Sequence, residues 1–357
     1  MQCDILIPMF FSLSLIYSTA VSAAGNVAEQ QVEKNEKKDL DRAGDTRPHV
    51  VQLPERLTIA PFFDIPGTQM SLIYSPKTQD SDDSSGLDNA NDRSLIYSHK
   101  IIHTFGAAIT YGNVGASAKF QPSYNKKTDS EKGRTEYEDF RTTYSLPKIT
   151  FDLFFQRYHG FYLRNTKPGS NQKDIATSDK IRPDLRIDNL GLISTYVFND
   201  TFAPRAGFDF SKKQVRPGHS PIISLSYLSS HIRDPNGIVP QSVKSEFETF
   251  AEFNDVKLRS LNVSGGYGVN GVAKDYIFHA AGQLGAGGTN GKYSLADGEH
   301  QKQLYSVNLD LRLAVGYNSS HYFSGFNYIY HTVNTVIGDL NLMRGIFSAT
   351  MVGGMRW

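Results

Sequence analysis

Residues 305–315 read YSVNLDLRLAV, and this stretch decides the class of fold. Its odd-numbered residues, from Tyr305 to Val315, are all apolar, whereas most even positions are polar: Ser306, Asn308, Asp310 and Arg312. Successive residues of a β-strand point to opposite faces, so one face is apolar and the other carries an acid and a base. An apolar face suits lipid and a charged face suits the inside of a barrel. The stretch therefore predicts a membrane-spanning β-strand.

The same alternation with period two recurs along the chain. It is found at 104–111, 114–121, 149–156, 206–211, 223–227, 260–267 and 343–357. A mean hydropathy of −0.38 excludes a helical membrane protein, but a barrel hides only alternate residues in lipid. We predict an all-β fold, a transmembrane antiparallel up-and-down β-barrel of about 12 strands, with 10 and 14 as the neighbouring even counts.

The connections between these segments are of two kinds. The glycine-rich stretch 265–271 is interpreted as a turn, and long polar loops are predicted at 77–93, 122–147, 231–257 and 288–301. Short turns that alternate with longer loops are typical of membrane barrels. The sequence Ser-Leu-Ile-Tyr-Ser occurs at both 71–75 and 94–98, which suggests one extra hairpin.

The N-terminal residues predict export from the cytoplasm. An apolar run from Ile5 to Ala24 ends in small residues, which indicates a signal peptide at 1–24. Asp4 is unusual in such a segment, and a permanent membrane anchor is the alternative. Residues 25–55 are polar and predict a periplasmic leader or linker, and residues 56–357 form the predicted barrel domain. The only cysteine, Cys3, lies in the predicted signal peptide.

The C-terminal strand carries a candidate insertion signal. Phe347, Met351, Met355 and Trp357 share one face of this strand, and the chain ends on the aromatic residue. A terminal aromatic on an alternating strand resembles the signal that the outer-membrane insertion machinery recognises. We therefore expect this machinery and outer-membrane lipid as partners, and the bacterial outer membrane as the location.

Charged residues on the predicted inner faces are the candidate lumen residues. They are Lys119, Asp152, Asp209, Asp310, Arg312, Arg344 and Arg356. Buried charges must be paired or hydrated, which leaves two interpretations. The lumen is either closed by salt bridges, giving a structural barrel, or it is a narrow mixed-charge channel for small solutes. In the second case Arg312, Arg344 and Arg356 form a basic strip that selects anions.

Other classes of function have little support in the sequence. A net charge of +1 gives no reason to expect nucleic acid. No Gly-x-Ser-x-Gly elbow and no zinc-ligand spacing is present, so no catalytic residue, metal or cofactor is predicted. An outer-membrane lipid hydrolase remains an alternative, although Ser224, Ser226 and Ser306 are predicted to face inward. A soluble periplasmic β-sandwich or lipid-binding protein is the other. The sequence assigns no solute and no oligomeric state.

Three stretches resemble the bacterial outer-membrane-type proteins of domain-of-unknown-function family 4421. The first is Phe155 to Tyr162, which is similar to the family's aromatic Tyr-x-Gly-Phe-Tyr region. The second joins Tyr196–Asn199 to Phe202–Pro204, and the third runs from Ser211–Gln214 to Gly218–Ser220 with the family's residue order altered. The resemblance covers about residues 68–357. It implies a barrel-like envelope protein and no assigned activity.

Overall fold

The computed structural model describes residues 48–53, 57–75, 93–122, 133–164, 175–295 and 297–357. The predicted signal peptide at 1–24 and the predicted leader up to residue 47 lie outside the described residues. The last part of the predicted leader is described, and it contains a short strand at Val50–Gln52. Among the described residues no helix is long and apolar enough to cross a membrane.

Strands make up most of the described chain. They are β1 (Val50–Gln52), β2 (Leu57–Tyr74), β3 (Arg93–Ser98), β4 (Thr104–Tyr111), β5 (Val114–Phe120), β6 (Glu136–Ser145), β7 (Ile149–Leu163), β8 (Ile181–Val197), β9 (Lys212–Gln214), β10 (Gly218–Arg233), β11 (Asp255–Ala273), β12 (Tyr276–Leu295), β13 (Gly298–Asn318), β14 (Tyr322–Ile337) and β15 (Leu340–Arg356). The described helical segments are α1 (Arg205–Phe208) and three 3-10 turns at Thr177–Asp179, Gln241–Glu246 and Glu248–Phe250.

Twelve of these strands close into one antiparallel ring. The order around the ring is β2, β4, β5, β6, β7, β8 and then β10 to β15, and β15 pairs with β2 to complete it. The backbone N–H of Trp357 donates to the Leu57 carbonyl at 3.1 Å, at the end of this last pairing. A closed ring has no free sheet edge. The predicted up-and-down barrel of about 12 strands is confirmed, and the β-sandwich alternative is wrong.

Strand β3 is additional to the ring. It pairs with the end of β2 through Leu72 and Leu95, and with β7 through Tyr97 and Leu163. These pairs include both copies of the repeated Ser-Leu-Ile-Tyr-Ser sequence. The expected extra hairpin is therefore confirmed.

The outer surface of the ring is apolar over the middle of the strands. On β13, the odd-numbered residues of 305–315 are exposed except for the partly buried Leu309, whereas Ser306 and Asn308 are buried. Other strands of the ring follow the same rule, since Leu225 of β10 is 50% exposed and Val263 of β11 is 54% exposed. On β7, Phe154 points inward, and its ring lies over Gly191 of the paired strand. The alternation predicted from the sequence thus separates an apolar outer face from a mostly polar inner face.

Several predicted loops are instead parts of strands. The glycine-rich stretch 265–271 lies within β11, and the turn that follows is Lys274–Asp275, so the predicted turn was wrong. A Cβ at Gly268 would lie 2.4 Å from the ring of Phe202, so this glycine makes room for a side chain inside the barrel. The predicted loops at 122–147 and 288–301 were too long, because β6, β12 and β13 occupy much of them. Polar residues lie on both faces of these strand ends, mixed with aromatic ones such as Tyr137 and Phe140, and this hid the alternation.

The alternating stretch 206–211 is not a strand, and that prediction was wrong. It begins in α1, where the N–H groups of Ala206 and Gly207 donate to the carbonyls of Ala203 and Pro204 at 3.1 and 3.2 Å. Its apolar residues alternate because Ala206 and Phe210 are buried inside the barrel, not because they face lipid.

The two ends of the barrel differ in their connections. At the end here called the turn end, tight turns join β4 to β5, β6 to β7, β11 to β12 and β13 to β14. The connection between β8 and β10 is also at this end, but it is long, and its residues 199–216 are here called the turn-end plug. The opposite end, called the loop end, carries the long segment 234–254 between β10 and β11, here called the loop-end plug.

The turn-end plug lies inside the ring and contacts it through its backbone. Asn318 of β13 donates to the carbonyls of Ala206 and Lys212 at 3.0 and 2.9 Å. Asn327 of β14 donates to the Phe208 carbonyl at 2.6 Å. The Phe210 ring stacks on Phe323 with 5.2 Å between ring centres. Strand β9 of this plug also pairs with β1, so the end of the predicted leader is attached to it.

The loop-end plug closes the other mouth with apolar side chains. Those that are almost fully buried are Ile238, Val239, Val243, Phe247, Phe250 and Phe253. They form one hydrophobic cluster with inward residues from different sides of the ring, including Met70, Leu185 and Tyr293. Arg182 of β8 also binds Asp234 at 2.6 Å. The lumen is therefore filled at both ends by the chain's own segments.

Candidate functional site

A chamber of about 270 Å³ remains in the lumen between the two plugs. Its wall is made by inward side chains from around the ring, and many of them are hydroxyl groups, such as Ser117, Thr195 and Thr350. Apolar side chains such as Phe154 and Ile193 also line it, but a space of this size beside hydroxyl and charged groups has room and partners for water. The charged side chains of the lumen are arranged around this chamber in three groups.

The first group is centred on Asp64, which sequence analysis missed. Asp64 is fully buried on β2, and its carboxylate binds the Lys119 ammonium at 2.7 Å. The hydroxyl groups of Ser348 and Thr350 on β15 donate to its other oxygen at 2.5 and 2.6 Å. Because β2 and β15 are the strands that close the ring, this carboxylate joins the first and last strands of the barrel across the inner face.

Asp139 of β6 extends this group. It lies 3.3 Å from the Lys119 ammonium and 3.3 Å from Nε of Arg141. Tyr137 and Gln156 donate to it at 2.6 and 2.9 Å. A buried carboxylate with two cations and two further donors is fully compensated, so its charge is held in place rather than offered to a ligand.

The second group lies on β7, β13 and β14. His331 lies 2.5 Å from Asp310 through Nδ1, and the Asn308 amide donates to the same carboxylate at 3.0 Å. Arg312 is 3.9 Å from Asp152, and the residues are about a quarter exposed to the chamber. Predicted lumen residues Asp152, Asp310 and Arg312 are thus brought together at one wall.

The third group belongs to the turn-end plug. Asp209 lines the chamber as predicted, but from the plug and not from a strand. It pairs with Arg205 of α1 and accepts hydrogen bonds from the backbone and hydroxyl of Ser211 at 3.0 and 2.7 Å. The guanidinium of Arg312 lies over the Phe208 ring, 5.8 Å from its centre, which links the plug to the second group.

The predicted strip of three arginines does not form. Arg344 and Arg356 are 12 positions apart on β15, a span of roughly 40 Å at the rise of a strand. Arg356 lies at the turn end, where it donates to the Phe210 carbonyl and to Asn318 at 2.8 Å. Arg344 lies on the other side of the chamber, towards the loop-end plug. The three side chains occupy three levels of the barrel, so they do not form one continuous basic strip.

The serines considered in the sequence analysis face inward, and so does His279. His279 is fully buried between the rings of Phe202 and Phe208, and its Nδ1 lies 2.7 Å from Asn270. Ser224 and Ser306 are buried on the inner face and bond to Gln283 and Asn262 at 2.8 and 2.6 Å. The inward facing predicted for Ser224, Ser226 and Ser306 is confirmed.

The chamber is almost neutral as a whole. Its three groups contain four cations, Lys119, Arg141, Arg205 and Arg312, and five carboxylates, Asp64, Asp139, Asp152, Asp209 and Asp310. Most of these charges lie within ion-pair distance of an opposite charge. Balanced, mutually paired charges rigidify a lumen more readily than they select one sign of ion.

Four charged residues around the chamber were not predicted from the sequence: Asp64, Asp139, Arg141 and Arg205. Asp139 and Arg141 alternate with the exposed Phe140 on β6, a signal that a strand assignment at 136–145 would have revealed. Asp64 had no such signal, because both faces of β2 are apolar around it. Arg205 lies in a segment whose helix was misread as a strand.

Replacing Asp64 by alanine should destabilise the folded barrel strongly, by about 3–5 kcal/mol, because it removes one partner of a buried ion pair. The Asp152→Ala variant is the matched control, since Asp152 is partly exposed and lies farther from its cation. We expect a much smaller loss for this control. The measurement is the temperature at which each variant loses its folded, fast-migrating form in detergent gels. Equal losses in the two variants would contradict the account.

Several solved outer-membrane proteins align with most of this chain at low sequence identity. The outer membrane protease OmpT from Escherichia coli aligns with 85% of this chain and 97% of its own, at 6% identity and a TM-score of 0.36. The translocator domain of the autotransporter NalP from Neisseria meningitidis aligns with 93% of this chain and 97% of its own, at 11% identity and a TM-score of 0.35. The toluene transporter TodX of P. putida aligns with 85% of this chain and 91% of its own, at 8% identity and a TM-score of 0.27.

A search of curated proteins finds no match. The family model described as "Domain of unknown function (DUF4421)" matches residues 78–347, which is most of the chain and agrees with the resemblance noted in the sequence. On this match, the chain belongs to the DUF4421 family.

Proposed function

We propose that this protein is an integral β-barrel of the bacterial outer membrane with a closed lumen and a structural role. The observation that carries the proposal is that the chain's own segments fill the lumen at both ends. The membrane location, the partners and the absence of an open pore are all parts of this proposal.

The outer face supports insertion into lipid. Large apolar side chains are exposed on strands all round the ring, including Ile109, Leu153, Leu225, Val263 and Leu313. A soluble protein rarely exposes a contiguous apolar patch of more than a few hundred Å², whereas a membrane barrel requires an apolar band. Together with the predicted signal peptide, this favours outer-membrane lipid as the partner of the outer face.

The last strand supports the expected role of the insertion machinery. Met351, Met355 and Trp357 are exposed on the outer face of β15. The Phe347 ring lies flat over Gly67 of β2, at the seam where the ring closes. These apolar residues lie in a row on the strand that completes the barrel. An insertion factor can contact them before β15 pairs with β2. Phe347, Met351, Met355 and Trp357 therefore stay our candidates for the insertion signal.

A gated channel for small solutes is the second candidate. The chamber of about 270 Å³ favours it, because a hydrated space already lies in the path between the two ends. The turn-end plug is one continuous connection between β8 and β10, so it can leave the lumen without breaking a pairing of the ring. For such a channel, the closed barrel is the resting state. We infer no catalytic chemistry in either version.

A charge on the outer face tests insertion into lipid. We expect Val263→Arg, near the middle of β11, to destabilise the barrel in membranes by about 2–4 kcal/mol, since the arginine would lie near the midplane. Tyr276→Arg, at the turn-end start of β12, is the matched control with an expected cost of at most about 1 kcal/mol. The measurement is urea unfolding in lipid vesicles. Equal and small costs at both positions would contradict the membrane location.

Removal of the turn-end plug tests the closed lumen. In planar bilayers we expect the wild-type chain to show no steady conductance, and a variant with residues 199–216 replaced by a short Gly-Ser linker to conduct more. A matched control replaces the exposed turn 319–321 at the same end with Gly-Ser-Gly and should stay closed. Steady conductance of the wild type at the level of the linker variant would contradict the proposal.

A further inference from the structure

Arg344 is a buried cation that has no acidic partner. It lies on the inner face of β15 and is 94% buried, since its exposed fraction is 6%. Its one hydrogen bond is a long contact of 3.4 Å from Nη2 to the Thr335 hydroxyl, and Nε and Nη1 have no protein partner. No carboxylate among the described residues forms an ion pair with it. Every other predicted lumen cation has a carboxylate or carbonyl partner.

The surroundings make this isolation costly. In the two pairings of β15, Arg344 lies opposite Val333 of β14 and Met70 of β2, and both of these are buried. Leu228 and Ile187 from the far side of the ring approach the same space. An unpaired guanidinium among such residues carries a desolvation cost of several kcal/mol unless something compensates its charge.

A small cavity lies directly beside Arg344. Besides the arginine, its polar lining residues include Thr68, Asn189, Ser230 and His331. About 10 Å³ of it is open to the centre of a water-sized sphere, which is room for one particle of that size. The Ser230 hydroxyl donates to the Asn189 amide oxygen at 2.7 Å, which leaves the Asn189 amide N–H group as a free donor. The cavity thus combines a cation with a neutral donor.

The acid bonded to His331, which lines this cavity, is already engaged. Asp310 binds His331 at 2.5 Å and Asn308 at 3.0 Å, and it lines the chamber rather than this cavity. It therefore does not neutralise Arg344. A carboxylate or phosphate group from a larger molecule needs much more room than one water-sized particle, whereas a monatomic anion such as chloride is only slightly larger than water.

We propose that this cavity binds one monovalent anion of halide size, held by the Arg344 guanidinium and the Asn189 amide. The bound ion supplies the negative charge that the protein does not. It makes Arg344 a binding residue inside a lumen whose other charges are paired by side chains or backbone. The site depends on the barrel fold alone and is independent of the structural or channel role proposed above.

The purified full chain in detergent tests the site. Chloride is exchanged for gluconate, which is too large for the cavity, at constant ionic strength. We expect the midpoint of thermal unfolding to rise with chloride, by about 2 °C per tenfold increase once the site is mostly occupied. Arg344→Met should remove this dependence and be no less stable than the wild type in gluconate. Arg259→Met, which removes an exposed arginine, is the matched control and should keep the chloride dependence.

Crystals grown with bromide give a second readout that does not depend on a variant. We expect an anomalous scattering peak beside Arg344 in the wild-type barrel. A midpoint that does not respond to chloride, or a response that Arg344→Met retains, would overturn the proposal. So would a cavity that contains only a water molecule when bromide is present.

Discussion

Twelve strands enclose more space than their own inward side chains can fill, and the rest of the structure depends on this constraint. A ring of about eight strands is just narrow enough to be filled by side chains, and wider rings leave a lumen. This chain fills its lumen with connections. The loop-end plug brings apolar side chains such as Phe247 and Phe253 into one mouth, and the turn-end plug brings α1 into the other. What remains between the two plugs is a chamber of about 270 Å³.

The two plugs are held by different chemistry. The loop-end plug is a hydrophobic cluster, so its burial resembles that of an ordinary protein core. The turn-end plug is held largely by amides and guanidinium groups of β13 to β15 that donate to its backbone carbonyls, such as Asn318, Asn327 and Arg356. Two of the three stretches of family resemblance include parts of this second plug, namely Phe202–Pro204 and Ser211–Gln214. Gln214 itself bonds to the Thr201 and Arg216 carbonyls and to Ala203, which fixes the shape of the connection.

The sequence predicted the strands of the ring well and the two plugs poorly, and the reasons are physical. A lipid-facing strand must alternate, so stretches such as 305–315 revealed the barrel and its inward charges Lys119, Asp152, Asp310 and Arg312. A segment inside the lumen need not alternate, because all of its sides are buried. The spacing of Ala206 and Phe210 therefore resembled that of a strand, although these residues lie in and beside a helix.

Asp64 was not predicted because Phe62, next to it on the inner face, packs over Gly106 and makes both faces of β2 apolar. The pairing of charges across strands also depends on register, which one sequence does not reveal.

Thiol accessibility inside the chamber tests the closed lumen most directly. Cys3 is the only cysteine, so a Cys3→Ser, Thr195→Cys variant carries a single thiol on the chamber wall. The account predicts that a charged, membrane-impermeant thiol reagent leaves this cysteine unmodified in the folded barrel and modifies it after heat unfolding. A Ser320→Cys variant at the exposed turn should react in both states. Rapid modification of the Thr195→Cys chain in the folded, membrane-inserted barrel would contradict a lumen closed at both ends.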